Sequence, residues 1–312
     1  VNKNSIDAIW KLEARSVTQD LDLATEEVSY LLDLALEVKR NPASFATALK
    51  GRHIALLFEK PSLRTRVTFE VAIAQLGGGS ILSAGPVGGR EPVKDVARNL
   101  DRWVDGIVAR TFSQETILEL ARWSGVPVIN ALSDVYHPCQ ALADVLTLKE
   151  QFKELSGLKL AYVGDGNNVA HSLLLTGSRL GMSVAVATPA GYEPKAEIVE
   201  QAARFAAASG TSVTVSNRPE EAVQGADAVY TDVWASMGQE SEKTERRMAF
   251  ESYRVTAKLM AAAKPGARFM HCLPARRGEE VTDEVIESPQ SVVFDQAENR
   301  LHSQKALLLM LL

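Results

Sequence analysis

Phe58-Glu59-Lys60-Pro61-Ser62-Leu63-Arg64-Thr65-Arg66-Val67-Thr68-Phe69-Glu70 is the stretch on which the reading of this chain turns. A short apolar run, His53 to Phe58, precedes it and has the composition of a buried strand. Thr65 to Leu76 follows with the pattern of a helix. Between them stand a rigid proline, hydroxyls and arginines. Backbone N–H groups at a helix start lack an intrahelical partner, and the helix dipole makes that end partly positive. Arginine adds a planar fork of donors suited to phosphate. Ser62, Arg64 and Thr65 are therefore candidates to hold a phosphate group. A plainer reading of the same residues is an N-cap serine followed by solvated arginines on a surface helix.

The alternation that begins here continues. Asp20 to Lys39 is an amphipathic helix, acidic early and basic late, as its dipole prefers. Strands are predicted at His53–Phe58, Ser80–Ala84, Gly106–Arg110 and Pro127–Asn130. Helices Thr65–Leu76, Val93–Trp103 and Gln114–Trp123 separate them, and His137 to Leu155 forms a longer one. The second half repeats the pattern, with strands at Lys159–Gly164, Ser183–Thr188, Ser212–Ser216, Ala228–Asp232, Arg268–Cys272 and Ser291–Asp295. Its helices are predicted at Val169–Leu180, Lys195–Ala208, Ser252–Ala262 and Glu298–Leu312, and Gly238 to Ala249 reads as a charged, exposed segment. Strands alternating with helices imply parallel sheets. The expected class is α/β: two open parallel-sheet domains facing a shared cleft, one over residues 1–150 and one over 151–297. The helix 298–312 is expected to return to the first.

Bulk properties narrow the function classes. The 312 residues suit about two domains. A net charge of −5 disfavours a general nucleic-acid binder. Cys139 and Cys272 are far apart and form neither a disulfide framework nor a zinc spacing, so a reducing cytosol is expected. Val1 to Arg15 has no apolar signal core, and the apolar run Ala306 to Leu312 is too short to span a bilayer. No membrane partner is expected, and the run should pack against the body of the protein.

The unusual polar residues fall at the carboxyl ends of predicted strands: Ser62 and Arg64, Arg110, His137, Asn167 and Asn168, Asp232, Cys272. Ligands of open α/β sheets bind outside those ends. Each residue also has a structural role open to it. Arg110 can be a surface strand end, His137 a helix cap, Cys272 an inert core thiol, and Asp232 an N-cap. Gly164-Asp165-Gly166-Asn167-Asn168 partly matches a dinucleotide loop, but Val169 stands where G-x-G-x-x-G needs its third glycine. Thr188-Pro189 occupies the place of the acid that would hold the ribose.

Together the motifs resemble the aspartate/ornithine transcarbamoylase family, in its ornithine branch. Ser62-Leu63-Arg64-Thr65-Arg66 is similar to that family's carbamoyl-phosphate motif and His137-Pro138-Cys139-Gln140 to its second motif. Asp232-Val233-Trp234-Ala235-Ser236-Met237-Gly238 and His271-Cys272-Leu273-Pro274 resemble the ornithine branch, and Glu298-Asn299-Arg300 fits as well. The resemblance implies transfer of the carbamoyl group of carbamoyl phosphate to the side-chain amine of L-ornithine, in arginine biosynthesis. It implies that Ser62, Leu63, Arg64 and Thr65 hold the phosphate. Arg110 would reach both phosphate and carbamoyl oxygen. His137, Gln140, Arg300 and the carbonyls of Cys272 and Leu273 would hold the carbamoyl group. Asn168, Asp232, Ser236 and Met237 would bind ornithine, with the Cys272 thiol orienting or deprotonating the amine. No cofactor and no metal are required. A homotrimer or a multiple of trimers is implied.

The chain departs from that pattern at Leu63, where a threonine is usual, and in the loop Pro86–Glu91, which offers only Arg90. Three rival readings remain open at this level. One is a transcarbamoylase for acetylornithine, putrescine, lysine or aspartate. The others are a nicotinamide-dependent oxidoreductase and a non-catalytic anion binder of the same fold.

Overall fold

The structure, a computed structural model, describes residues 9–235 and 242–312. The chain divides into two compact units, Val1–Leu146 with Glu298–Leu312, and Thr147–Ala297.

In the first unit, α1 (Thr25–Arg40) leads into β1 (His53–Phe58), α2 (Leu63–Gln75), β2 (Gly79–Ala84) and α3 (Val93–Leu100). Then come β3 (Gly106–Arg110), α4 (Gln114–Trp123), β4 (Val128–Leu132) and the start of α5 (Pro138–Phe152). The four strands form a parallel sheet in the order β2-β1-β3-β4. All of β1 but His53 is buried, as expected of a strand covered on both faces. At the edge, β2 exposes Ile81. Residues Ala306 to Met310 are buried in this unit, and Lys305 Nζ donates to Gln75 Oε1 of α2.

The second unit continues with β5 (Lys159–Val163), α6 (Asn168–Arg179), β6 (Ser183–Ala187), α7 (Ala196–Ser209), β7 (Val213–Ser216) and α8 (Pro219–Val223). It is completed by β8 (Ala228–Thr231), α9 (Lys243–Phe250), α10 (Ala257–Met260), β9 (Arg268–His271), α11 (Asp283–Ile286) and the first residues of α12 (Val293–Leu311). Its sheet is parallel in the order β7-β6-β5-β8-β9. One face packs on an apolar cluster that includes Trp234, Phe250, Tyr253 and Phe269.

Three predicted elements differ. Ser291–Asp295 is not a strand: Ser291 makes an isolated bridge to Phe269, and α12 begins at Val293. A short apolar run of that kind suits a buried helix start as well as a strand. The helix expected over Ser252–Ala262 shrinks to α10, after a 3-10 turn at Glu251–Tyr253. Within the charged stretch Gly238–Ala249, residues 238–241 lie outside the described residues. The rest is not uniformly exposed, because α9 buries Arg246. Among the described residues, no helix is long and apolar enough to cross a membrane.

Candidate active site

Each sheet has one point where its strand order reverses direction, between β1 and β3 in the first unit and between β5 and β8 in the second. Chains leaving two such strands diverge to opposite sides of the sheet, and the crevice left between them is the usual ligand site of an open α/β fold. Both polar clusters lie at these points.

In the first unit, Phe58 and Arg110 are register partners at the ends of β1 and β3. The chain leaves β1 through Glu59 to Ser62 and enters α2. Ser62 sits in the N-cap position with extended backbone but makes no side-chain cap. The helix start is therefore left for an incoming acceptor. Thr65 is buried, and its hydroxyl oxygen accepts from Arg110 Nη1 at 3.3 Å and from Arg300 Nη2 at 3.1 Å. Arg300 Nη1 also donates to Gln140 Oε1 at 2.6 Å, while Gln140 Nε2 donates to Asp144 Oδ1 at 2.7 Å. Two guanidinium groups, an amide and a hydroxyl thus meet at one helix start. Arg64 is half-buried in the first turn of α2.

His137 belongs to the same group. It is buried, and burial followed by the charges of Arg300 and Arg110 hold its imidazole well below the usual histidine range. At neutral pH it is uncharged, so it offers one N–H donor and one acceptor nitrogen. Its position comes from a buried turn: Ser133 Oγ donates to Gln114 Oε1 at 2.6 Å and accepts from Tyr136 N–H at 3.1 Å. Cys139, the second residue of α5, is inert by comparison. Burial pushes its thiol up to about 12, and its Sγ donates to the Asn130 carbonyl at 3.4 Å. Leu63 is 73% exposed, so this position can supply its backbone N–H whatever its side chain.

In the second unit, Asp232 follows β8 and is buried. Its Oδ2 accepts from Asn167 Nδ2 at 2.9 Å, and its Oδ1 from Val233 N–H at 2.8 Å and Cys272 Sγ at 3.0 Å. Asn167 caps α6 through its Oδ1, which accepts from Val169 N–H and Ala170 N–H, and Asn168 is the first residue of that helix. Behind Cys272, Leu273 N–H donates to His271 Nδ1 at 2.8 Å, and His271 Nε2 faces Glu280 Oε1 at 3.0 Å. The imidazole is therefore the Nε2–H tautomer, with Nδ1 as acceptor. It fixes Leu273, whose φ of 59° is rare outside glycine. Donor atoms of Asp232, His271 and Cys272 lie within 4.8 Å of one another. Both ring nitrogens of His271 are nonetheless committed to protein partners, so the trio lacks the free imidazole that a metal ion takes. Ser236 and Met237 lie outside the described residues.

The Gly164–Asn168 turn is not a dinucleotide loop. A Cβ at Gly166 would stand 2.3 Å from Pro194 N and 2.5 Å from the Tyr192 carbonyl oxygen. The space where a pyrophosphate would approach is filled by the protein's own backbone. Gly166→Ala is accordingly expected to lower stability by roughly 1–3 kcal/mol, the range for forced overpacking, measured by denaturant unfolding.

Several contributors escape sequence reasoning. Asn167 stands out in the sequence as a polar residue after β5, but its grip on Asp232 does not; only its cap of α6 has a local signal, an N-cap residue type just before a helical run. Asp165 and Arg246 form a buried ion pair at 3.1 Å. Burial pushes the Asp165 carboxyl up to about 6 in spite of that arginine.

An α/β enzyme emerges from these parts, with a cationic anion site at one switch point and an acid–thiol–amide cluster at the other. Residues 15–150 match the family description "Aspartate/ornithine carbamoyltransferase, carbamoyl-P binding domain", and residues 156–311 match its "Asp/Orn binding domain". The chain belongs to the aspartate/ornithine carbamoyltransferase family. It is 50% identical over 309 residues to an ornithine carbamoyltransferase of Halalkalibacterium halodurans, covering 97% of each chain. It is 51% identical over 292 residues to an anabolic ornithine carbamoyltransferase of Pyrococcus furiosus, covering 92% of this chain and 93% of the relative. A solved ornithine carbamoyltransferase structure from Pyrococcus furiosus superposes with a TM-score of 0.92 at 48% identity, covering 96% of this chain and 97% of the other.

Proposed function

We infer that this protein transfers the carbamoyl group of carbamoyl phosphate to the side-chain amine of L-ornithine, releasing phosphate and L-citrulline. The observation that carries the reading is the convergence of Arg110 and Arg300 on Thr65 at the uncapped start of α2. That arrangement suits a doubly charged phosphate next to a carbonyl. The relatives' names support the acceptor.

In this reading Ser62, Leu63, Arg64 and Thr65 hold the phosphate through the helix start and side chains, and they neutralise it as it leaves. Negative charge builds on the carbamoyl oxygen during attack, so donors must be aimed there in advance. Arg110 and the neutral His137 serve that purpose, and Arg300 fixes Gln140, whose amide holds the carbamoyl group. The carbonyls of Cys272 and Leu273 accept from the carbamoyl N–H groups. Asp232 pairs with the α-ammonium of ornithine, Asn168 donates to its α-carboxylate, and Ser236 and Met237 complete that part. The attacking amine must be neutral, although a lysine-like amine has a pKa of about 10.4. Loss of water around it favours the neutral form, and in this reading the Cys272 thiol, which donates to Asp232, orients it. Holding two substrates in attack geometry supplies much of the rate. None of these steps calls for a cofactor or a metal ion.

The proposed setting is arginine biosynthesis in the cytoplasm, in keeping with the anabolic relative. A homotrimer or a multiple of trimers is proposed. Ile81, Leu63 and Val67, exposed at 52%, 73% and 44%, offer apolar surface for a second copy.

An assay for citrulline with ornithine and carbamoyl phosphate tests the reading. The wild-type protein is expected to form citrulline, and Arg64→Ala to lose most of that activity. The amine panel is ornithine, acetylornithine, putrescine, lysine and aspartate. Activity on putrescine and none on ornithine would overturn the assignment, since putrescine has no carboxylate for Asn168.

A further inference from the structure

Glu59 is the first residue after β1, the strand that lies between β2 and β3. Its backbone N–H donates to the Arg110 carbonyl at 3.0 Å, continuing the strand pairing by one residue. Its carboxylate then reaches to both sides. Oε1 accepts from Val87 N–H at 2.9 Å, in the loop that leaves β2. Oε2 accepts from Phe112 N–H at 2.7 Å, in the segment that leaves β3 two residues after Arg110. The neighbouring Lys60 is buried, and its Nζ lies 4.1 Å from the centre of the Phe112 ring. Consecutive residues thus grip Phe112 by its N–H and by its ring.

A carboxylate is an unexpected neighbour for an anion site, because its charge repels phosphate. Its use there becomes intelligible from its two acceptor oxygens, which point at backbone N–H groups of two different loops. We propose that Glu59 is a positioning residue for carbamoyl phosphate: its carboxylate clamps the chains leaving β2 and β3, and through Phe112 it sets the backbone that aims Arg110 at Thr65. The proposal rests on the reading that this end of the first unit holds carbamoyl phosphate.

Glu59→Gln is the decisive variant. It keeps shape and length but has one acceptor oxygen, so one backbone N–H is left facing an amide NH2. Simple electrostatics and positioning then predict opposite signs. Removing a negative charge beside an anion site should tighten carbamoyl phosphate, whereas loosening Arg110 should weaken it. The expected result is a KM for carbamoyl phosphate raised about tenfold, the order expected from losing one charge-assisted hydrogen bond. Inorganic phosphate should weaken in parallel as a competitive inhibitor. The KM for ornithine at saturating carbamoyl phosphate should stay within twofold of wild type. Glu59→Asp, which keeps both oxygens on a shorter arm, should fall between the two. An unchanged or lowered KM for carbamoyl phosphate in Glu59→Gln overturns the proposal, as does an equal rise in both KM values. Wild-type protein assayed alongside separates the two levels: absence of citrulline there would instead defeat the functional reading.

Discussion

Arg300→Met is expected to lower kcat/KM for carbamoyl phosphate about 10³-fold, in line with losses of roughly 10²–10³ for removal of a single preorganised donor. Arg300 does more than donate once. Its guanidinium forks to Gln140 Oε1 and Thr65 Oγ1 within a buried site, and Arg110 shares the same Thr65 oxygen. Methionine fills a similar volume but removes both bonds and one of the positive charges that hold His137 neutral. The His137 pKa should therefore move up toward its ordinary value, although burial, the larger cause, remains. Arg300→Lys is a sharper test of geometry. It keeps a charge but, as a point donor, does not reproduce the planar fork. It should recover only a small part of the loss. Steady-state kinetics with each substrate varied would check this. Activity of Arg300→Met within tenfold of wild type would remove Arg300 from the carbamoyl site.

The second large effect concerns stability. Arg246 donates to Asp165 Oδ2 at 3.1 Å, to the Trp234 carbonyl at 3.1 Å and to Glu242 Oε2 at 2.8 Å. Arg246→Met should cost about 3 kcal/mol at pH 8, the low end of the range for breaking one side of a buried pair. The pH dependence follows from Asp165. Its carboxyl titrates near 6 in the folded wild-type protein, above the unfolded value of about 3.9. Loss of the arginine raises the folded value further. A carboxyl with a raised folded pKa favours the folded state below its unfolded pKa, and that contribution is lost as pH rises through the folded value. The deficit of Arg246→Met should thus be small near pH 5 and grow between about pH 6 and 8. Adding Asp165→Asn removes the stranded charge, so the double variant should recover stability at pH 8 and show a flat deficit. Denaturant unfolding across that pH range measures both. A pH-independent deficit in the single variant would show that the charge of Asp165 is not what Arg246 compensates.

What the sequence made legible has a physical boundary. Buried parallel strands are short apolar runs, so β1 and β3 are readable to the residue, and the polar residues after them stand out against that background. Strand order is not readable, because it depends on which crossover goes to which side of the sheet. That Arg110 and Asp232 both lie at reversal points is visible only in the fold. Arg246 hides for another reason. Lys243-Thr244-Glu245-Arg246-Arg247 looks like a solvated charged stretch. The acid that draws Arg246 inward lies 81 positions earlier, at Asp165. Ser291–Asp295 failed as a strand because Val292, Val293 and Phe294 have no period long enough to separate strand from helix. Glu59 lies within Phe58–Glu70, but nothing local reveals that its partners are Val87 and Phe112.

The placement of Arg300 has a consequence for how the protein is made. The second unit is continuous, from Thr147 to Ala297, whereas the first is interrupted and needs Glu298–Leu312. On the ribosome, whose product emerges at about 5–20 residues per second, the second unit has its whole sequence before the first does. The pocket around Thr65 waits, with its hydroxyl lacking the Arg300 donor, until a helix translated more than two hundred residues later arrives. Such distant closure is slow in folding terms. The Arg300 contacts of the anion site are therefore available only after the whole second unit has been translated.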